Sequence, residues 1–354
     1  MKVAIIHNQL SSGGGMESYM LALLRGFAAA GDEVHVHTYE VDRRLAGRYP
    51  CTVHRRNPFL LPRRLKKYWF LHHCNSRFDP RAYDLSLSLT RTACQDMAVI
   101  GGIHPASVAR AGWRNPYRRL HDRVESAFEA RMLTRVPCIL AHSNSIREDI
   151  LRYYPVAREK VRIAYPPVDT ERFREIKGPE RDAVCRRYGI TDQALTLLFP
   201  SLGHRRKGLH SLLTAFDRLD ADRFRLLVAG EAVRGVHLPE NVRYIGYIEN
   251  LSSLYSAVDY VVLPSSYEPF GLVVAEALQC GTPVLISRGV GAAELLAADE
   301  GVVVADNRPA TLEAAIRRLH RMRVRPEFAR RNGLDIGQHI EIIKQFARER
   351  CNRS

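Results

Sequence analysis

The stretch YVVLPSSYEPFGLVVAEALQCGTPV, residues 260–284, reads as strand, loop, helix and the start of a strand. An apolar run from Tyr260 ends at Pro264, a loop carries Glu268, and helical spacing begins near Gly271 and runs to Leu278. Gly281 is a good C-cap, and Pro283 bars any continuation of the helix. The amides at the start of such a helix form a ready anion site. Glu276 lies about five residues in, roughly 8 Å along the axis at ~1.5 Å per residue. Glu268 lies on the other side of the helix start, so a diphosphate there would have one carboxylate toward each end. Carboxylates suit sugar and ribose hydroxyls, since each accepts two hydrogen bonds. A lone glutamate pair is usually just solvated. The Pro-Ser, Pro-Phe-Gly and Cys-Gly-Thr-Pro elements around this one favour a site.

The same rhythm extends on both sides. Strands are expected at Leu195–Pro200, Phe224–Gly230, Val242–Ile245 and Pro283–Ser287, with helices at Gly208–Leu219 and Leu251–Ala257. The opening residues form one more such unit: a strand Lys2–His7, a glycine turn Ser11–Gly15, a helix Glu17–Ala30 and a strand Glu33–Tyr39. Asp84–Leu89, Met97–His104 and Pro137–His142 read as further strands, Pro105–Arg135 as a long Arg-rich helical stretch, and a helix follows from Ser145. Strand, helix, strand in succession means an α/β fold with parallel sheets. The breaker run Tyr165–Asp169 divides it into domains 1–167 and 168–336, and 337–354 is a final helix that returns toward the first domain.

Composition narrows the class. No apolar run approaches the ~18 residues of a membrane span, and the apolar start Val3–Ile6 is too short for a secretory segment. The seven cysteines are scattered without a Cys-x-x-Cys pair, which argues against a disulfide framework or thiolate metal site and fits a cytoplasmic compartment. The net charge is +15. Residues 1–167 hold 26 bases and 14 acids, against 27 and 24 in the remainder, so the excess sits in the first half. An anionic partner for that half is expected. Arg63, Arg64, Lys66 and Lys67 lie beside Trp69, and Arg110, Arg114, Arg118 and Arg119 surround Trp113. This interleaving points to an anionic membrane surface more than to nucleic acid, for which no binding motif is present.

Two further segments carry chemistry. Ser201–Gly208 follows a strand and opens a helix, which places Arg206 and Lys207 where cations can neutralise a leaving diphosphate. His104 ends a strand after Gly101 and Gly102. Asp220-Ala221-Asp222 spells a metal-diphosphate motif, but it lies between helix and strand, away from the carboxyl ends, and is read as a solvated turn. His72-His73-Cys74 is read as part of a helix and not as a zinc site. No metal and no cofactor are expected.

The segment around Glu268 and Glu276 resembles the glutamate-x7-glutamate motif of retaining glycosyltransferases, family 4 in particular. Gly14-Gly15-x-Glu17 after strand one, Ala141-His142-Ser143-Asn144, Val168–Phe173 and Asn241-Val242-x-x-Ile245-Gly246 resemble that family in order along almost the whole chain. The resemblance implies a GT-B fold, two Rossmann-like domains facing across a cleft, with the acceptor on the first and the nucleotide sugar on the second. It implies catalytic roles for Glu268, Lys207, Arg206 and His104. It implies donor contacts from Gly14, Gly15, Gly246, Phe270, Gly271, Leu272 and Glu276, the Gly13–Gly15 loop approaching through its backbone. The expected donor is a uridine-linked sugar, the acceptor a glycan or glycolipid hydroxyl, and the enzyme a monomer peripheral to the inner face of the cytoplasmic membrane. The family usually has an arginine five or six residues before the lysine. Here Ser201 stands six residues before Lys207, with Pro200 ahead of it, and Arg206 is the candidate replacement. In this the chain is similar to the enzymes that add glucose to a heptose of the lipopolysaccharide core. A sugar-nucleotide epimerase or hydrolase, a basic nucleic-acid-binding protein and an inactive scaffold are the rival readings. The first lacks acids or bases in place around the sugar, and retention of both glutamates argues against the last.

Overall fold

The computed structural model describes residues 1–11, 14–45, 47–111, 119–325 and 327–351. Gly13, Trp113, Arg114 and Arg118 lie outside the described residues, as does the middle of the expected helix 105–135. The chain forms two compact units, Met1–Pro167 with Ile336–Ser354, and Val168–Asp335.

The first unit is built on β1 (Lys2–Ile6), β2 (Gln9–Leu10), β3 (Glu33–Thr38), β4 (Glu40–Val41), β5 (Thr52–Arg55), β6 (Leu85–Ser88), β7 (Met97–Ile100), β8 (Cys138–Ala141) and β9 (Val161–Ile163). Its helices are α1 (Gly15–Ala29), α2 (Arg63–Arg77), α3 (His104–Ala111), α4 (Arg119–Arg135) and α5 (Asn144–Tyr153), with a tail helix at Ile336–Cys351. Seven strands form one parallel sheet in the order β5-β3-β1-β6-β7-β8-β9, and β2 pairs with β4 apart from it. Strands β6, β7 and β8 are buried on both faces, which is why β7 and β8 read as unbroken apolar runs; β6 instead alternates Leu85 and Leu87 with the buried Ser86 and Ser88. Val3, Ile5, Leu87, Val99 and Leu140 meet Leu23 and Phe27 of α1 in one core, which also takes Ile340, Ile343 and Ala347 from the tail helix. The tail helix seats on Gly26, where any Cβ would come within 2.7 Å of Ile336 and Ile340 side-chain carbons. Lys344 bonds Asp32 at 2.7 Å, and Tyr19 bonds His339 at 2.8 Å.

The second unit holds β10 (Leu195–Ser201), β11 (Phe224–Gly230), β12 (Val242–Tyr244), β13 (Tyr260–Leu263), β14 (Val284–Ser287) and β15 (Gly301–Val304). Its helices are α6 (Gly178–Tyr188), α7 (His204–Lys207), α8 (Leu209–Phe216), α9 (Ser252–Ala257), α10 (Leu272–Gln279), α11 (Pro309–Arg317) and α12 (Phe328–Arg331). The parallel order β12-β11-β10-β13-β14-β15 reverses between β10 and β13. Such a reversal opens a crevice at the carboxyl ends of the two strands, where ligands of doubly wound sheets bind.

The expected strand Met97–His104 is shorter than read. It stops at Ile100, because Gly101 and Gly102 follow and Gly102 adopts φ 159°. His104 instead opens α3, with Pro105 beside it in the first turn, where a missing N–H costs nothing.

Candidate active site

Three loops converge at the reversal point of the second sheet. The turn after β10 carries Arg206 and Lys207, the loop after β13 carries Glu268, and the loop after β14 carries Gly289. Their backbones are interlocked: Ser266 N–H donates to Arg206 O at 3.3 Å, Glu268 N–H to Gly289 O at 2.8 Å, and Gly291 N–H to Glu268 O at 2.9 Å. Glycine is required at two of the crossings. A Cβ on Gly208, whose φ is 84°, would sit 2.5 Å from Pro264 O, and one on Gly289 would sit 2.5 Å from Ser266 O. The loops therefore hold their side chains on a stiff frame.

On that frame Arg206 Nη1 donates to Glu268 Oε2 at 2.5 Å and to Tyr267 O at 2.9 Å. Lys207 Nζ donates to Pro200 O at 3.1 Å. Burial lowers the Lys207 ammonium from its ordinary value and Arg206 adds to that, against the opposing charges of Glu268 and Glu276. Glu276 lies on α10, which starts after Gly271 at φ 91°. Burial pushes its carboxyl up to about 7, against a 3.2 Å hydrogen bond from Tyr255 and the charges of Arg172 and Lys207. A cation pair and two carboxylates, of which Glu276 has a raised proton affinity, thus surround the start of one helix. Leu272 is its first residue, partly exposed. Gly246 follows β12, with φ 84° and open space around its missing Cβ. Phe270 is 3% exposed as a whole residue, and its carbonyl accepts the Ala292 N–H at 2.7 Å.

The position of the missing arginine is explained locally. Ser201 is buried and its Oγ takes the Gly203 N–H at 3.3 Å. His204 Nδ1 lies 3.0 Å from the same Oγ while its Nε2 donates to Glu231 O at 2.8 Å. These three residues stiffen the turn, a role that the sequence reading missed. Tyr255 was missed also, because nothing in the sequence ties it to Glu276.

In the first unit, Gly14 caps α1, and a Cβ there would lie 2.0 Å from Glu17 Oε2, which folds back over the helix start. Gly15 has open space. His104 Nε2 bonds Asp122 Oδ1 at 3.0 Å, and its N–H donates to Glu129 at 2.8 Å. Among the described residues His104, His121 and Asp122 bring three ligand atoms within 4.8 Å of one another. Asp220 Oδ1 accepts the Asp222 N–H at 2.9 Å in a turn at the amino end of β11, remote from the carboxyl ends. His72, His73 and Cys74 lie within α2.

Residues 181–333 match the model of glycosyl transferases group 1, and residues 13–172 match that of glycosyltransferase family 4. A probable transglycosylase of Burkholderia thailandensis is 33% identical over 332 residues, 92% of this chain and 90% of that protein. The chain belongs to the group 1, family 4 glycosyltransferases. Solved structures agree on the GT-B fold of these glycosyltransferases. WaaG, a glycosyltransferase involved in lipopolysaccharide biosynthesis, superposes with a TM-score of 0.74 at 19% identity, covering 96% of this chain and 93% of that one. HepE of Anabaena, solved with UDP and glucose, gives 0.69 at 17%, covering 90% and 89%.

The basic patch expected on this glycosyltransferase is only partly available. Lys67 is turned inward: its Nζ lies 2.7 Å from Glu125, which also accepts from Tyr68 and Arg91 at 2.7 Å. Burial would raise that carboxyl, but hydrogen bonds from Lys67 and Tyr68 and the Arg91 charge hold it down at about 2. Arg110 makes a paired contact to Asp149 at 2.6 and 2.8 Å. Trp69 is half-buried, packs against the Ile6–Phe70–Cys74 cluster and stacks on His73 at 4.8 Å. Lys67 and Trp69 are corrected from partner contacts to internal ones, since a buried acid and apolar neighbours outcompete solvent for them, whereas Arg110 stays exposed with its charge paired to Asp149. Arg63, Arg64 and Arg119 remain exposed and Lys66 half-exposed. Beside the first two stand Phe59 at 77%, Leu60 at 84% and Leu65 at 50% exposure. No helix among the described residues is long and apolar enough to cross a membrane.

Proposed function

We propose that this glycosyltransferase moves a hexosyl unit from a UDP-sugar to a hydroxyl of a glycan or glycolipid, with retention and without a metal. The reading rests on the Arg206–Glu268 pair set beside Lys207 at the reversal point of the second sheet. Arg206 exchanges Glu268 for the diphosphate when donor binds. The freed carboxylate then accepts hydrogen bonds from the sugar hydroxyls, while Glu276 takes the ribose. Lys207, Arg206 and the amides after Gly271 hold the charge that develops as the anomeric carbon–oxygen bond breaks. The acceptor oxygen forms the new bond on the same face, and its proton passes to the departing phosphate. The HepE complexes with UDP support a uridine-linked donor, and WaaG supports a cell-envelope acceptor.

A thermal-shift screen of UDP-, ADP- and GDP-sugars tests this. A UDP-sugar at ~100 Kd should stabilise by about 2.7 kcal/mol, and indifference to every nucleotide sugar would remove the reading. Excess chelator should leave turnover intact, whereas complete loss restored by manganese would assign the reaction to a metal.

We further propose that the enzyme works in the cytoplasm as a monomer, peripheral to the inner face of the cytoplasmic membrane. Phe59, Leu60 and Leu65 enter the headgroup layer, with Arg63, Arg64 and Lys66 on anionic lipid. Sedimentation with anionic vesicles should fall as salt rises and fall again in a Phe59→Ser, Leu60→Ser variant. Equal recovery with neutral and anionic vesicles at low salt would sink it.

A further inference from the structure

An open cavity of about 500 Å³ lies in the first unit, lined by β3, the residue after β5, the last two turns of α2 and the segment that follows. None of its lining residues belongs to the donor site. One wall is aromatic: the Phe78 and Tyr83 rings stack at 5.6 Å and 4°, and Phe70 also lines the cavity. The polar groups are mostly of one kind. Arg56, Arg77, His37 and His73 all line it. Neither guanidinium makes a hydrogen bond or ion pair to another described residue through its side chain, whereas Arg91, Arg110 and Arg206 each hold a carboxylate. Asp79 is the one lining carboxylate among the described residues, and it is engaged by the Arg81 N–H at 3.0 Å.

The imidazoles nearby are held down chiefly by burial, with Arg56 adding to it at each and Arg77 at His73. Burial, His54, His35 and Arg56 together hold His37 down at about 4. Burial, Arg56, Arg77 and His72 hold His73 below its ordinary value. Burial, His35, Arg56 and Lys2 do the same to His54. Burial is the main cause of these shifts, and the unpaired guanidiniums add to it; an anion in the cavity would relieve that repulsion and add hydrogen bonds of its own.

We propose that this cavity binds a phosphate monoester carried on a sugar-sized body. The phosphate is held by Arg56, Arg77 and His73, and the body lies against Phe78 and Tyr83. Guanidiniums match phosphate oxygens in pairs, and a flat aromatic wall suits the apolar face of a sugar ring. The volume falls in the range of about 300–1,000 Å³ common for small-ligand sites. The phosphate can come from a free sugar phosphate or from a lipid headgroup. The site does not depend on the transfer reading, and losing either leaves the other standing.

The test is a pH titration of the full chain with ¹³C-labelled histidine, with the His73 signal assigned by His73→Gln. Glucose 6-phosphate is the soluble probe, and phosphatidic acid vesicles are the lipid probe. Sodium chloride at equal ionic strength and neutral vesicles are the references. A bound phosphate should raise the His73 midpoint by about 0.5–1 unit. A response to glucose 6-phosphate assigns the soluble source, and a response to the vesicles alone assigns the lipid. The double variant Arg56→Ala, Arg77→Ala should lose the response while its donor-induced thermal shift stays. Unchanged midpoints with both probes would overturn the proposal on the wild-type chain alone, as would a full response in the double variant.

Discussion

The two units use one strand order and dress its reversal point in opposite ways. In the first, the ends of β1 and β6 carry Asn8 and Thr90, joined by a 3.1 Å hydrogen bond, and Thr90 O accepts from Ser88 at 2.9 Å. His7 follows β1 at 5% exposure. Asn8, Ser88 and Thr90 are uncharged and bonded to one another. In the second, the corresponding ends carry Arg206, Lys207 and Glu268, charged and held on interlocked loops. Strand order places a crevice, but the side chains at the strand ends decide whether it can handle a diphosphate. Titration repeats the contrast, since buried histidines mark the first unit and a buried carboxyl with raised proton affinity marks the second.

The largest expected effect breaks the contrast directly. Glu268→Ala and Lys207→Ala should each lower turnover by about 10²–10³, and Thr90→Val should leave it within about tenfold, with melting temperatures recorded alongside. A Thr90 variant as damaged as the other two would mean that the first reversal point shares the chemistry. The next effect is on stability in acid. His37 and His339 are held at about 4 and His142 at about 3, each chiefly by burial. Their folded values lie below the ordinary 6.5, so stability is full above 6.5 and falls as the pH drops toward 4, by up to about 1.4 kcal/mol per pH unit for each. Both tryptophans belong to the first unit, so their fluorescence should report that unit melting earlier on the acid side than the mean signal of far-ultraviolet dichroism. Coincident curves at pH 4.5 would count against the difference.

Backbone effects come third. Gly208→Ala should cost about 2–4 kcal/mol in urea unfolding, since φ and a 2.5 Å approach both oppose a Cβ. Gly15→Ala, in open space at the start of α1, should change stability by less than about 0.5 kcal/mol. The smallest effect concerns Glu276. Its folded value of about 7 lies above the ordinary 4.5, so its contribution is present at low pH and lost as pH rises from 4.5 through 7. Glu276→Gln should therefore melt with the wild type at pH 5 and be more stable at pH 8 by about 1–2 kcal/mol. A variant less stable at pH 8 would show the carboxylate to be better solvated than its burial indicates.

Much of the frame was legible because buried parallel strands announce themselves. Phe224–Gly230 has the bounds read from its apolar run, and α10 starts within a residue of its expected start because Gly271 and Gly281 punctuate it. Strands β5 and β9 escaped reading. Thr52–Arg55 is a half-exposed edge with a histidine and an arginine, and Val161–Ile163 is too short to show a period. Helix α6 has no buried residue, so no apolar stripe marks it. The residues of the candidate site were legible as neighbours of strand ends, yet their pairing was not. Arg206 and Glu268 are 62 residues apart, and Tyr255 and Glu276 come from separate elements. Charge counting failed for the same reason at Lys67 and Arg110, whose acids lie 58 and 39 residues away. A count of bases says how much charge a domain carries, and only the fold says how much of it is already spent.

The seat of the tail helix on Gly26 bears on how the chain comes to be folded at all. Ile340, Ile343 and Ala347 are part of the core that β1 and α1 begin, yet they are translated after the whole of the second unit. On the ribosome, the half that emerges first waits with an open groove along α1 until the tail helix has followed the second unit out. The half that emerges second, Val168–Asp335, is continuous in the chain and can close ahead of it. Synthesis order and completion order are thereby inverted, and the nascent first unit is the stage at which a chaperone has apolar surface to hold.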